Sequence, residues 1–233
     1  MAQETILVTG SNRGIGLALA REFAGRGWVV IACCRRPEKA RELQEAAAGA
    51  DGRIRIERLD VTDPGQALDL AARLREEAID ILFNNAGVAG PGDQDFGQLD
   101  EAAWIEAFRI NTVAPLRMAE AFVQQVARSG RRIIASMGSV MGSVAENTEG
   151  GYYVYRTTKA AVHMLMRNLA MDLRGREIVA VVFHPGWVKT EMGGAGAPLS
   201  PAESAAGLYR VLTGLDREDS GKFLDYRGRE LPW

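Results

Sequence analysis

At 233 residues the chain can bury about 70% of the surface it exposes when unfolded, and its length suits one or two domains. Twenty-eight Lys and Arg against 30 Asp and Glu leave a net charge of −2, with 47% hydrophobic residues, which argues against a general nucleic-acid binder and a polybasic membrane protein. Two adjacent cysteines, Cys33 and Cys34, form no disulfide framework. No apolar run reaches the ~18 residues of a membrane helix, and Met1–Glu4 shows no start of a secretory signal, so a cytoplasmic protein is expected.

The first element is a buried strand at Thr5–Thr9, followed by a helix over Gly14–Ala24 that Gly25 and Gly27 end. A strand at Trp28–Cys33 precedes a helix that opens at Pro37 and runs toward Ala48. An alternating strand at Arg53–Arg58 leads to a helix from Pro64 to about Glu77, then a strand at Ile79–Phe83. One long helix is expected from Asp100 to Arg128, bent near Pro115. The rest reads as a strand at Arg132–Ser136, a helix at Tyr152–Leu173, a strand at Ile178–Phe183, a helix at Pro201–Leu212 and a short strand at Lys222–Leu224. Strands alternating with helices of this length imply βαβ crossovers. The expectation is one α/β domain over residues 1–233, a Rossmann-type doubly wound parallel sheet with helices on both faces. Ligands of such sheets sit beyond the carboxyl ends of the strands.

The first strand runs into Gly10-Ser11-Asn12-Arg13-Gly14-Ile15-Gly16 and then a helix. Glycines there let backbone N–H groups reach a pyrophosphate, and the helix N-terminus adds partial positive charge. After the second strand the chain reads Cys33-Cys34-Arg35-Arg36, with no acid before Glu38 to hold a ribose 2′-hydroxyl. Arg35 and Arg13 suit a 2′-phosphate, which favours NADP(H) over NAD(H), while Arg36 reads as solvated. Tyr155 and Lys159 stand four apart on one helix face. A phenol with an ordinary pKa of about 10 needs about 4 kcal/mol of help to ionise near neutrality, which an ammonium and an oxidised nicotinamide can supply together. Tyr152 lacks such a partner, since Arg156 stands at its i+4. Past the fifth strand, Ser136, Ser139 and Ser143 are candidates to position a carbonyl oxygen. Ser136 reads as part of the strand. His163 and His184 have no ligand cluster at metal spacing, so no metal is expected; His163 reads as a helix residue and His184 as a packing or supporting one. The Cys33–Cys34 pair reads as strand packing rather than redox chemistry.

Taken in order, the loop Gly10–Gly16, Asp60, Asn84-Asn85-Ala86-Gly87, Asn111, the serine stretch, Tyr155, Lys159 and Pro185-Gly186 resemble the short-chain dehydrogenases/reductases over nearly the whole chain. The stretches 136–144, 150–161, 184–194 and 221–233 resemble the Sniffer carbonyl reductase and C-factor group of that family. The resemblance implies that Asp60 and Val61 lie at the adenine and that Asn85, Ala86 and Gly87 line the adenosine side. It implies that Pro185, Gly186, Val188 and Thr190 turn beneath the nicotinamide, and that Asn111 disturbs its helix and holds a water. In many members the serine precedes the tyrosine by 13, which here lands on Gly142. Ser139 fits if Glu146–Gly151 includes a three-residue insertion, and Ser143 is the alternative. The implied catalytic set is Asn111, Ser139, Tyr155 and Lys159, reducing a ketone, aldehyde or quinone. Two other readings stand beside it: a nucleotide-binding signal or sensor with little catalysis, and an epimerase or dehydratase, which would need a longer substrate domain. The expected partners are a small carbonyl compound and further copies of the chain, as a dimer or tetramer paired through the two long helices. Neither nucleic acid nor membrane is expected as a partner.

Overall fold

The protein is described from a computed structural model covering residues 3–233. Met1 and Ala2, the start of the segment read for a signal, lie outside the described residues. Among the described residues seven strands form one sheet: β1 (Thr5–Thr9), β2 (Val29–Cys34), β3 (Ile54–Arg58), β4 (Ile81–Asn84), β5 (Ile133–Met137), β6 (Val179–His184) and β7 (Phe223–Asp225). Their order is β3-β2-β1-β4-β5-β6-β7, and every neighbouring pair is parallel. The helices between them are α1 (Gly14–Gly25), α2 (Arg41–Ala48), α3 (Pro64–Arg73), α4 (Glu101–Phe108), α5 (Ala114–Ala127), α6 (Tyr153–Asp172) and α7 (Pro201–Gly214). The doubly wound sheet expected from the sequence is present, with its switch point between β1 and β4.

Alternation along each strand divides the core in two. Ile6 and Val8 of β1 face one cluster with Phe23 of α1 and Leu208 of α7, while Leu7 faces the other with Phe122 of α5 and Val162 of α6. Phe83 and Phe183, both fully buried, stack at 6.2 Å between ring centroids. Helix starts follow local chemistry. Asp63 caps α3 through the N–H groups of Gly65 and Gln66, and Ser200 with Glu203 forms a capping box ahead of α7.

Three expected helices differ from the sequence reading. The one at Pro37 is a short turn over Pro37–Lys39 that breaks at Ala40 before α2 begins. The one at Pro64 ends at Arg73 instead of near Glu77: residues 74–77 tighten into turns, and Glu77 pairs with Arg55 of β3 through two bonds of 3.1 Å. The long helix from Asp100 to Arg128 is two helices, α4 and α5, joined by a wider turn over Arg109–Val113. There the N–H of Ala114 bonds to the carbonyl of Arg109, five residues back. The irregularity thus precedes Pro115 and centres on Asn111, whose side chain is bonded outside the helix.

Candidate active site

The loop after β1 is shaped by what its glycines lack. A Cβ on Gly16 would lie 2.3 Å from the Gly10 carbonyl oxygen and 2.5 Å from Asn85 Nδ2. Gly10 has φ +68°, and a Cβ there would meet Ala86 Cα at 2.9 Å. Ser11 is buried and bonded to Val8 O and Cys33 O. Asn12 and Arg13 are exposed, and no side chain caps α1, so its first amides face the crevice with Gly14 and Ile15. Asn85 ties this loop to β4: its amide donates to Thr9 O (2.9 Å) and Gly10 O (3.2 Å). The N–H groups of Asn85 and Ala86 both donate to Thr9 Oγ1 at 3.0 Å. Val61 and Ala86 border a small hollow with Thr9, Ile110 and Pro115.

At the end of β2, Arg35 is exposed and has no ion-pair partner among the described residues. Glu38, the next acid along the chain, is taken by Arg58 at 2.8 Å. Arg13 pairs with Glu191, on the loop after β6. Asp60 accepts from Thr62 N (3.0 Å) and Thr62 Oγ1 (2.7 Å). Burial pushes its carboxyl up, but those bonds, with Arg35 and Arg109, bring it below the ordinary range. Asp63, not Asp60, caps α3. The glycine cradle, the uncapped helix start and the free Arg35 fit a dinucleotide carrying a 2′-phosphate.

The residues expected to react converge beyond β4 and β5. Lys159 is buried, and its Nζ donates to Met137 O at 2.8 Å, 5.6 Å from the Tyr155 ring centroid. Tyr155 is half-buried, and Ser139 stands near enough to its phenol to favour the ionised form. Asn111 Oδ1 accepts from Val88 N at 2.9 Å, and its Nδ2 donates to Val88 O and to Thr158 Oγ1. Gly87 separates these groups: a Cβ there would lie 3.1 Å from Asn111 Oδ1 and 3.5 Å from Lys159 Nζ. Ser139 Oγ accepts from Met141 N and Ser143 Oγ from Glu146 N, both at 3.1 Å in turns, and Ser136 is buried within β5 against Asn84 and Met166. The position thirteen before Tyr155 is Gly142, where a Cβ would lie 2.7 Å from the Lys159 carbonyl carbon, so no side chain fits.

Burial dominates both reacting groups and holds the Tyr155 phenol above its ordinary value, outweighing the effect of Ser139. Burial also brings the Lys159 ammonium down to about 8. The Lys159 Nζ is bonded to the Met137 carbonyl and not to the tyrosine oxygen.

Sequence reasoning missed how the serine loop is held. His163 Nε2 accepts from Ser139 N (3.4 Å), and His184 Nδ1 accepts from Val140 N (3.3 Å). Both imidazoles must be neutral to accept. Burial keeps them so, at about 3 for His163 and about 4 for His184, with Lys159 and Arg229 adding to the effect and Asp225 opposing it at His184. A Cβ on Gly138 would reach His163 Nε2 at 2.6 Å. Also unmarked by any motif is Gln94, tied to the first turn of α6. After β6, Pro185 O accepts from Ser204 Oγ, Gly186 turns at φ +85°, Val188 bridges to Leu199, and Thr190 touches Gly14. No helix among the described residues is long and apolar enough to cross a membrane.

Residues 4–197 match the short chain dehydrogenase family. The C-signal protein of Myxococcus xanthus is 44% identical over 155 residues, covering 66% of this chain and 93% of its own. Among solved structures, the carbonyl reductase Sniffer of D. melanogaster superposes with a TM-score of 0.93 at 32% identity, covering 99% of this chain and 100% of its own. The NADPH-bound carbonyl reductase from chicken fatty liver gives 0.92 at 32% identity, covering the whole of both chains.

Proposed function

The chain belongs to the short-chain dehydrogenase family, and from that premise we propose that it is an NADPH-dependent carbonyl reductase. The observation that carries this reading is the convergence of Asn111 and Lys159 on Gly87, with Tyr155 beside Lys159 and Ser139 near the phenol, next to a glycine cradle and an unpaired Arg35. When bound, NADPH supplies the hydride for the carbonyl carbon.

This chain's own residues do the rest. Gly10, Ser11, Asn12, Gly14, Ile15 and Gly16 hold the pyrophosphate at the open start of α1, and Arg13 faces the 2′-phosphate. Arg35 takes the 2′-phosphate, and Asp60 with Val61 meets the adenine. Asn85, Ala86 and Gly87 line the adenosine side, and Pro185, Gly186, Val188 and Thr190 hold the nicotinamide end. Ser139 donates a hydrogen bond to the substrate oxygen, and Tyr155 gives that oxygen its proton. A phenol raised by burial is protonated at neutral pH, the form an acid needs. Lys159 orients the ribose, and Asn111, with its side chain fixed on Val88 and Thr158, holds the widened turn that opens a water path to Lys159. With Cys33 and Cys34 both free and buried, the protein suits a reducing, cytoplasmic compartment. Exposed Ile105 on α4 and Met164 on α6 support pairing of copies, as a dimer or tetramer, through the long helices.

The test is NADPH oxidation against quinones, aromatic aldehydes and dicarbonyls, with NADH and Tyr155→Phe in parallel. Turnover with NADPH that the Phe variant loses is expected; turnover surviving in that variant would defeat the assignment. The likeness to C-signal favours a second reading, a nucleotide-binding signal protein with little catalysis. Tight NADPH binding with no turnover on any carbonyl would select it.

A further inference from the structure

We infer that Gln94 is a positioning residue for Tyr155, an amide clip that sets the start of α6 from the loop after β4. The inference rests on the reading of Tyr155 as proton donor. The start of α6 lacks a cap of its own. Tyr152, the residue before it, is in the left-handed region (φ 49°, ψ 41°), and no local side chain bonds the first turn. Gln94, buried at 4% exposure, supplies what is missing. Its backbone carbonyl accepts from Tyr153 N at 3.1 Å, and its side-chain oxygen accepts from Tyr155 N at 2.9 Å. The same amide's Nε2 donates to Ala89 O at 2.9 Å and Pro91 O at 2.7 Å. Reversing the amide would set its oxygen against two carbonyls and its nitrogen against an N–H, so its orientation is fixed.

The loop is also pressed onto the helix. Gly90 turns at φ +87°, and a Cβ there would lie 2.8 Å from Val154 Cγ1. Further along its length α6 is fixed to the serine loop, where Gly142 lies flush against Lys159 and Gly138 against His163. The phenol lies between these anchors. Ser139 is referred to one of them and the backbone of Tyr155 to the other, so the distance between hydroxyl and phenol depends on Gln94. Proton transfer needs hydrogen-bond reach, and a misplacement of about 1 Å can cost about 100-fold.

Two variants and two readouts test this. Gln94→Leu keeps the volume and removes every side-chain bond; kcat should fall about 30-fold while NADPH Kd stays within about twofold. In Gln94→Glu the second carboxyl oxygen faces the carbonyls of Ala89 and Pro91, which only the protonated acid can satisfy. Its kcat should therefore be low at pH 8 and recover as the pH falls toward 6, a limb the parent enzyme lacks. The readout that needs no turnover is the ring-carbon NMR titration of 13C-labelled tyrosine, with Tyr155 assigned through Tyr155→Phe. In Gln94→Leu its midpoint should move down toward the ordinary phenol value as solvent reaches the ring. An unshifted titration, or a Glu variant with a parental pH profile, would overturn the inference. Were the parent to reduce no carbonyl, the enzymatic reading would fail while the titration still decided the role of Gln94.

Discussion

The loop after β1 and the loop after β5 open onto the same crevice, yet they are shaped by different means. Around Gly10 and Gly16 the fit comes from absent side chains, with backbone lying directly on backbone and Asn85 as a brace. Around Ser139 the fit comes from side chains brought in from elsewhere: His163 from α6, His184 from the end of β6, and Lys159 on the Met137 carbonyl. The titrating contact of the first loop is an exposed pair, Arg13 with Glu191, so acid should change its shape little. The second depends on two imidazoles staying neutral and on helix α6 keeping its place.

The sharpest probe of this contrast is Tyr155→Phe, which removes the reacting hydroxyl and disturbs neither loop. We expect kcat to fall about 1,000-fold with NADPH affinity within about twofold, measured by single-turnover absorbance and fluorescence titration. Gly16→Ala should do the opposite. Its Cβ would overlap the Gly10 carbonyl, so NADPH affinity should drop at least about 100-fold, and Tm should fall as well. Gly138→Ala, which forces its Cβ onto His163 Nε2 and Val182, should cost about 20-fold in kcat and leave NADPH affinity almost intact. Weakened NADPH binding in that variant would break the division between the loops. Arg35→Ala should raise the NADPH Kd about tenfold and leave NADH unchanged, because only NADPH carries the 2′-phosphate; equal losses would refute the pairing.

A separate effect falls on stability in acid. His163 and His184 protonate near 6.5 in the unfolded chain but only at about 3 and about 4 in the folded one. Above pH 6.5 neither state gains a proton over the other. As the pH falls below that, the unfolded chain binds more protons, and folding weakens with a slope approaching two protons until about pH 4. Urea midpoints at pH 7 and 5 should show this, and His163→Asn should remove about one proton from the slope. An unchanged slope would show that the imidazole does not carry the effect.

What the sequence made legible tracks how contiguous each feature is. Strand β1, the glycine loop and the start of α1 occupy one unbroken stretch, so periodicity and glycine spacing reveal them together. Tyr155 and Lys159 share a helix face and announce themselves by their spacing. Asn111 was visible as a residue, but the widened turn around it was not, because its cause is the bonds to Val88 and Thr158, far along the chain. The same holds for His163, His184 and Gln94. Each bonds a backbone N–H tens of residues away, and a backbone amide leaves no mark in the order of side chains. The ends of α2 and α3 were misjudged for a related reason: a break at Ala40 and a cross-strand pair at Glu77 override local helix preference.

The turn at Arg109–Val113 has a consequence for chain length. A turn closed over five residues amounts to a regular helix with one residue inserted, so α5 is rotated by about 100° from where an unbroken helix would put it. That rotation aims Met118, Phe122 and Val126 into the core. Deleting a single residue within the turn would restore a regular helix and leave this apolar stripe facing the core, because the widened turn already absorbs the extra residue. What such a deletion would lose is the placement of Asn111 on Val88 and Thr158, so the site, and not the core, fixes the length of this segment.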